Sequence, residues 1–220
     1  MEDKKDGCCF DGWVDNWSKQ ARKKSTVAGV TAPLLSALES AGIVGKNILD
    51  IGCGIGDLAT EAASRGASQA FGVDLSEKAI EEARHLAAER GVGDRTTFQV
   101  GDGAKASLPK ADVVVLNRVF CCYPNVDGLL ENSLSAAGTI YAFTTPWSRG
   151  LSGVFVKLQT WFENLWYRVR AKKFQGFRVF VHDVDQIDSR VQAAGFRPIQ
   201  RQRRRVVWHM AVYARPETVG

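Results

Sequence analysis

Residues 47–56 read Asn-Ile-Leu-Asp-Ile-Gly-Cys-Gly-Ile-Gly, an apolar run that passes into a glycine-rich loop. The apolar part is short and rich in β-branched residues, which predicts a buried strand at 47–52. Ala, Leu and Glu then recur at helical spacing over 56–65, so the loop joins a strand to a helix. Glycines at such a turn let the backbone approach a ligand at the carboxyl edge of a parallel sheet.

The same alternation of apolar runs and helical stretches continues along the chain. A helix is predicted at 76–90 with Ser76 as its N-cap, and another at 183–194. Alternating strands and helices predict a parallel sheet with helices on both faces. The last two runs are so close in sequence that they must form a hairpin, which makes the final strand antiparallel. The further strands are predicted at 69–74, 95–100, 111–116, 138–144, 196–201 and 206–214.

The length of 220 residues with 45% hydrophobic content predicts a single domain with its own core. Within it the composition changes at three places. We expect a helical cap over 1–44, a cofactor-binding core over 45–145, an aromatic-rich insertion that forms a substrate lid over 146–180, and a C-terminal helix and hairpin over 181–220.

The charge balance is only mildly basic, with 29 Lys and Arg against 24 Asp and Glu. A dedicated nucleic-acid binder has a larger excess, so nucleic acid is not the expected partner. No apolar run is long enough for a membrane span, and the first residues are charged, which predicts a cytoplasmic protein.

The five cysteines include the adjacent pairs Cys8-Cys9 and Cys121-Cys122, an arrangement unlike a secreted disulfide framework. Reduced thiols beside the substrate are the favoured interpretation, and no metal is predicted. A metal site remains an alternative if the two pairs meet in the fold.

The spacing of the glycines separates two classes of cofactor. A dinucleotide loop places its third glycine at position 57, but here Asp57 stands there and the glycine comes one residue earlier. A carboxylate at that helix N-terminus disfavours a pyrophosphate. Asp74 ends the second strand, where it can accept hydrogen bonds from both ribose hydroxyls, and Asp102-Gly103 follows the third strand, where it can bind an adenine amine. This pattern suits a nucleoside without phosphates better than NAD or FAD.

With the D-I-G-C-G-I-G motif at 50–56 and the two later acids in register, the sequence resembles the class I S-adenosylmethionine-dependent methyltransferases. The resemblance covers about residues 45–145 by motifs and the remainder by topology. It implies a Rossmann-like α/β fold with a seven-stranded, mostly parallel sheet whose last strand is antiparallel, and S-adenosyl-L-methionine as cofactor. The cofactor contacts it implies are Asp50, Gly52, Cys53, Gly54, Gly56, Asp74, Leu75, Asp102, Gly103 and Asn117.

The methyl acceptor is expected beyond the fourth strand, at 117–124, and in the aromatic insertion. Methyltransferases that act on base amines usually carry two prolines after the Asn or Asp at this strand end, whereas Arg118 and Val119 occupy those places here. We therefore expect a small, largely apolar acceptor that is methylated on O, N or S. An RNA or protein methyltransferase, or a non-catalytic protein that binds the cofactor, are the alternatives.

Three residues are predicted to act in catalysis: His182 as general base, because imidazole titrates near neutrality, together with Arg118 and Tyr123. A structural role next to a helix N-terminus is the alternative for His182. The residues predicted to contact the acceptor are Cys122, Trp147, Trp161, Trp166 and Tyr167. The identity of the acceptor and the oligomeric state stay open.

Overall fold

The computed structural model describes residues 8–23, 27, 29–170, 177–204 and 207–216. Within these ranges, seven strands form one sheet in the order β3-β2-β1-β4-β5-β7-β6. Strand β7 runs antiparallel to both β5 and β6, whereas the pairs among β1 to β5 are parallel. The predicted fold class is confirmed. The strands are β1 Asn47–Ile51, β2 Gln69–Asp74, β3 Thr96–Val100, β4 Ala111–Asn117, β5 Ala137–Pro146, β6 Arg197–Arg204 and β7 Trp208–Ala214.

Seven α-helices accompany the sheet in the described ranges. The predicted N-terminal helical region resolves into two of them, and the aromatic-rich insertion contains one long helix. Residues 1–7, 24–26 and 28 of the predicted helical cap and residues 171–176 of the predicted lid lie outside the described residues. The helices are α1 Asp11–Lys23, α2 Thr31–Ser40, α3 Asp57–Ser64, α4 Glu77–Glu89, α5 Val126–Ala136, α6 Gly150–Val169 and α7 Val184–Ala193.

Alternation along β4 divides the core into two layers. Val113 and Val115 pack on one face of the sheet with residues of α2 and α3. Val114 and Leu116 point to the other face and pack with residues of α5 and α7. Because successive strand residues face opposite sides, a continuous apolar run is what a strand covered on both faces requires.

Helix α1 lies against α4 near the glycine loop. Its Val14 is fully buried and packs with Ile55 and with Ala79 of α4. Ion pairs flank this contact, from Arg22 Nη1 to Glu82 Oε2 at 3.1 Å, from Arg22 Nη2 to Glu89 Oε1 at 3.0 Å, and from Lys78 Nζ to Asp15 Oδ1 at 2.7 Å. In the described part of the chain, no helix combines the length and apolar character needed to cross a bilayer.

Candidate active site

A cavity of about 590 Å³ opens at the carboxyl edge of β1, β2 and β4. Open parallel sheets bind ligands at this edge, because loops from successive strands converge there. One part of the wall comes from the glycine loop and the ends of β2 and β3, and the other from the residues after β4, α6 and the first residues of the chain that are described.

The glycine loop has a backbone that other residues rarely adopt, with φ of +68° at Gly52, +54° at Gly54 and +69° at Gly56. At Gly52 an added Cβ would lie 2.6 Å from Cγ2 of Val119, so packing excludes a side chain. At Gly54 the nearest atom would be Trp17 Cζ3 at 3.9 Å, so this position faces open space in the cavity. Gly54 therefore gives a ligand access to the backbone.

Asp74 ends β2, and both of its carboxylate oxygens accept backbone hydrogen bonds. The Gly54 N–H donates to Oδ2 and the Ser76 N–H to Oδ1, each with an N···O distance of 2.9 Å. Burial raises the pKa of this carboxyl group, although the two N–H donors act in the opposite direction. The carboxylate is thus held at the cavity wall by the glycine loop itself.

Two further carboxyl groups, the buried Asp50 and the half-buried Asp57, line the same end of the cavity. Burial raises the pKa of both, and for Asp50 the charges of Asp57 and Asp74 raise it further. None of the carboxyl groups of Asp50, Asp57 and Asp74 forms an ion pair with a described residue. Like charges held close together in a buried site favour a cationic ligand.

The other predicted cofactor contacts lie close to this end of the cavity. Asp102 follows β3, but its carboxylate accepts hydrogen bonds from the Tyr123 hydroxyl and from the Ala104 N–H, and the flanking Gly101 and Gly103 line the cavity instead. Leu75, Cys53 and Asn117 also line it. The predicted contact Gly56 does not, since it packs inside the protein, where an added Cβ would lie 2.7 Å from Cε1 of Phe98. Leu75 is 43% exposed, which leaves its side chain free to pack on a ligand.

Arg118 marks the beginning of the acceptor side. It has a φ of 64°, and no other described non-glycine residue has a positive φ. Its N–H donates to Thr144 Oγ1 at 2.8 Å, which holds this conformation, and its guanidinium lies 5.4 Å from the centre of the Trp208 ring. Cys122 and Tyr123, in and after the 3₁₀ turn Phe120–Cys122, line the cavity beside it.

One face of α6 lines the acceptor side, where aromatic rings form a cover. Tyr167 of α6 makes edge-on contact with Phe177, with ring centres 5.0 Å apart. Phe10 and Trp13, from the N-terminal region, contact the Phe177 ring at 5.4 and 6.5 Å. The α6 residues on the cavity are Val156, Gln159, Thr160, Glu163 and Tyr167.

Sequence reasoning missed Phe10, Phe177 and Glu163. For Glu163 a signal existed, because Val156, Thr160, Glu163 and Tyr167 recur at helical spacing. For Phe10 and Phe177 the sequence held no signal, because the two residues are far apart in the chain and meet only in the fold.

The structure does not bring three of the predicted acceptor contacts to the cavity. Trp161 and Trp166 lie on the opposite face of α6 and are 58% and 43% exposed. Each residue of an α-helix is turned about 100° from the one before it, so neighbours of Thr160 and Tyr167 need not share their face. Trp147 packs against His209 and the guanidinium groups of Arg149 and Arg203, not against the cavity.

His182 does not line the cavity either, which argues against the predicted role as general base. Its Nε2 lies 2.8 Å from the backbone oxygen of Tyr123, and its ring stacks on Phe180 with centres 6.0 Å apart. Its position suits the structural alternative, because it holds the segment that carries Tyr123.

Of the two cysteine pairs, Cys121-Cys122 lies on the acceptor side of the cavity, whereas Cys8 and Cys9 do not line it. Cys121 and Cys122 line the cavity, and their Sγ atoms are 3.6 Å apart. Over the described ranges, no three His, Cys, Asp or Glu residues are grouped so that they could hold a metal ion.

Comparison with known proteins places this site in a family. The chain matches the methyltransferase domain family over residues 44–194 and belongs to it. It is a class I S-adenosylmethionine-dependent methyltransferase, and S-adenosylmethionine is its cofactor, as the sequence resemblance implies.

Two solved structures illustrate the likeness in fold. Magnesium protoporphyrin IX methyltransferase (ChlM) of Synechocystis PCC 6803 with bound SAH is 21% identical, with a TM-score of 0.69 over 94% of this chain and 96% of that one. The [4+2]-cyclase SpnF is 16% identical, with a TM-score of 0.70 over 96% of this chain and 94% of that one. At such identities the likeness shows the fold alone, and these two names already describe different reactions.

Among curated proteins, the ribosomal protein L11 methyltransferases of Mannheimia succiniciproducens and Escherichia coli are 39% identical over 87 residues. That stretch is 40% of this chain and only 29% of those proteins.

Proposed function

We propose that this protein transfers the methyl group of S-adenosylmethionine to an O, N or S atom of a small, largely apolar acceptor. The observation that carries the proposal is the aromatic cover on the acceptor side. Rings from the N-terminal region and from the segment after α6 meet over the cavity, which favours a compact, apolar molecule.

The cofactor end of the cavity fits S-adenosylmethionine in shape and charge. The open space at Gly54 suits close approach to the backbone, and Asp74, held at the cavity wall, would accept hydrogen bonds from the ribose hydroxyls. Asp50 would face the methionine part, and Gly103 with Leu75 the adenine. The bound cofactor supplies a methyl group that is electrophilic because the sulfur is positively charged. The carboxyl groups of Asp50, Asp57 and Asp74 suit that charge.

Four side chains line the acceptor end of the cavity, namely Arg118, Cys122, Glu163 and Tyr167. The Tyr167 hydroxyl has a pKa raised by burial and then by the charges of Glu163 and Cys122, while Arg118 acts in the opposite direction. We assign Arg118 to orienting the acceptor, and Glu163 to removing its proton where the acceptor carries one. His182 then acts as a positioning residue for Tyr123. Holding the acceptor in line with the carbon–sulfur bond supplies much of the rate.

A protein acceptor is the second candidate, and the 87-residue match to the L11 methyltransferases favours it. The deciding experiment supplies S-adenosylmethionine labelled in its methyl group with three separate acceptor pools: small metabolites, ribosomal and other proteins, and RNA. Label in the small-molecule pool, lost in Asp74→Ala, supports the proposal. Label in protein or RNA alone overturns it in favour of a macromolecular acceptor.

A further inference from the structure

Helix α6 has a second apolar face, which points away from the protein. Nine large apolar side chains on it are 43% to 91% exposed. They recur every three or four positions through the whole helix, so they form one continuous stripe. The stripe residues are Leu151, Val154, Phe155, Leu158, Trp161, Phe162, Leu165, Trp166 and Val169.

The stripe lies opposite the face that packs on the protein. At about 100° per residue, its members span an arc of about 140°, and the buried Gly153, Val156 and Thr160 lie on the other side of the helix. Twenty residues make the stripe about 30 Å long. Soluble monomers rarely expose a continuous apolar surface of this extent, so the stripe indicates a binding surface.

The charges around the stripe are positive. Lys157 and Arg168 are exposed along one border, and neither forms an ion pair with a described residue. Arg170 follows the helix and lies 4.7 Å from the centre of the Trp166 ring. The one acid of the helix, Glu163, lines the cavity on the other side. No acid interrupts the stripe, and the whole chain carries a formal net charge of +5.

We infer that α6 binds the surface of an anionic membrane and lies in the plane of its interface. An apolar face with Trp, Phe and Leu, bordered by Lys and Arg, is the pattern of helices that insert at the boundary between headgroups and acyl chains. Two tryptophans within the stripe suit that boundary, because their rings are amphipathic. Lys157, Arg168 and Arg170 are placed to contact anionic headgroups.

A second copy of the chain fits the stripe less well. Two α6 helices packed through their stripes would bring border cations of both copies close together, with no acid of either stripe to pair with them. The membrane inference goes beyond the proposed function and does not depend on it. If the membrane inference and the proposed function both hold, one face of α6 lies on the bilayer and the other lines the acceptor end of the cavity. An apolar acceptor can then enter the cavity from the membrane.

The test is co-sedimentation of the purified full chain with two kinds of vesicle, phosphatidylcholine alone and phosphatidylcholine mixed with phosphatidylglycerol. We expect binding to the mixed vesicles, and a partition coefficient reduced about tenfold or more in Leu158→Gln/Phe162→Gln, which removes apolar area from the stripe. Lys157→Gln/Arg168→Gln should weaken binding to the anionic vesicles only. The matched control is Val44→Gln/Ile199→Gln, which alters two apolar residues that are 73% and 53% exposed elsewhere on the protein.

Each other outcome overturns the inference. The inference is wrong if the wild-type chain stays in the supernatant with both kinds of vesicle. It is also wrong if the wild-type chain binds no better than Leu158→Gln/Phe162→Gln. Sedimentation velocity without lipid tests the second copy directly: a wild-type dimer that becomes monomeric in the stripe variant, but not in the control, assigns the stripe to self-association. None of these measurements uses methyl transfer, so failure here is separate from failure of the proposed function.

Discussion

Asp74 is fixed by the glycine loop before any ligand arrives, since the Gly54 and Ser76 N–H groups hold its two oxygens. Such preorganisation means that little side-chain entropy is lost when a ribose diol binds. Hydrogen bonds to a charged group contribute about 1.5 to 3 kcal/mol. We expect Asp74→Ala to weaken S-adenosylmethionine binding by that amount in isothermal titration calorimetry. Asp94→Ala, an exposed acid in the 3₁₀ turn Gly93–Arg95, is the control. Unchanged affinity in a folded Asp74→Ala protein contradicts the ribose assignment.

Comparing alanine variants at Gly54 and Gly91 separates the effect of backbone strain from the effect of blocked ligand access. Both have positive φ, of 54° and 68°, and an added Cβ at Gly91 meets nothing within 4 Å. Alanine at either position costs about 1 to 2 kcal/mol of stability through backbone strain. Only Gly54→Ala places its methyl group in the cavity, so only this variant should bind S-adenosylmethionine more weakly than the wild type. Equal affinity of both variants in titration would show that the cofactor does not approach Gly54.

The proposal makes Glu163 the base and His182 a positioning residue, whereas the sequence predicted His182 as the base. His182 holds the carbonyl of Tyr123, whereas Glu163 lines the cavity. With the acceptor found by methyl labelling, single-turnover rates should fall less than about tenfold in His182→Ala and about 10²-fold or more in Glu163→Gln if the acceptor carries a proton. Cofactor affinity should stay unchanged in both. A large loss in His182→Ala together with loss of the pH limb near neutrality would restore His182 as the base.

Among the elements, a buried hydroxyl links α1 to α4, in addition to the apolar contact of Val14 and the ion pairs. Ser76 caps α4 by accepting from the Ala79 N–H at 3.0 Å, and its own hydroxyl donates to Asp11 Oδ1 of α1 at 2.5 Å. One side chain therefore starts one helix and anchors another.

Ser76→Ala should lower the free energy of unfolding by about 1 to 2 kcal/mol, because an N-cap and a further hydrogen bond are lost. It should also speed amide hydrogen exchange in residues 11–23. Asn125→Ala is the matched control, since Asn125 caps α5 through the Asp127 N–H without contacting α1. If exchange in α1 rises equally in both variants, Ser76 does not anchor the helix.

At the scale of the whole molecule, the three acids at the cofactor end of the cavity link cofactor binding to pH. The pKa values of Asp50, Asp57 and Asp74 are raised above 3.8 in the folded protein, first by burial. The native state thus holds these protons more strongly than the unfolded chain, so the unliganded protein loses stability as pH rises above 3.8 through the raised values. A positively charged sulfur favours the ionised carboxylates and offsets that loss.

The affinity for S-adenosylmethionine relative to S-adenosylhomocysteine, whose sulfur is uncharged, should therefore rise with pH above 3.8 and level off once the acids are ionised. Titration of both ligands across this range measures the ratio, and the common adenosine part cancels. Asp57→Asn should flatten the dependence. A ratio that does not change with pH would contradict a role for these acids in recognising the sulfonium.

Local spacing was sufficient to predict that the glycine loop and Asp74 lie together at one edge of the sheet. A buried run followed by Gly52, Gly54 and Gly56 forces a strand-to-helix turn, and the acid at the end of the next strand must lie beside it. Both follow because the carboxyl ends of neighbouring parallel strands meet at one edge of the sheet. The reversed β7 could be predicted too, because the short connection between β6 and β7 requires a hairpin.

The acceptor side was decided by tertiary packing. Helix α6 carries apolar residues on both faces, so its periodicity could not tell whether Tyr167 or Trp161 faces the cavity. Contacts of the Tyr167 ring with Trp13 and Phe177 accompany the rotation that the structure shows. Phe10 meets Phe177 only because the chain folds back over the sheet edge. His182 lies outside the cavity and contacts the Tyr123 carbonyl. Tyr123 is distant in sequence, so the residues around His182 could not predict this contact. Contacts between distant segments depend on the assembled core, whereas turns and strand ends depend on residues a few positions apart.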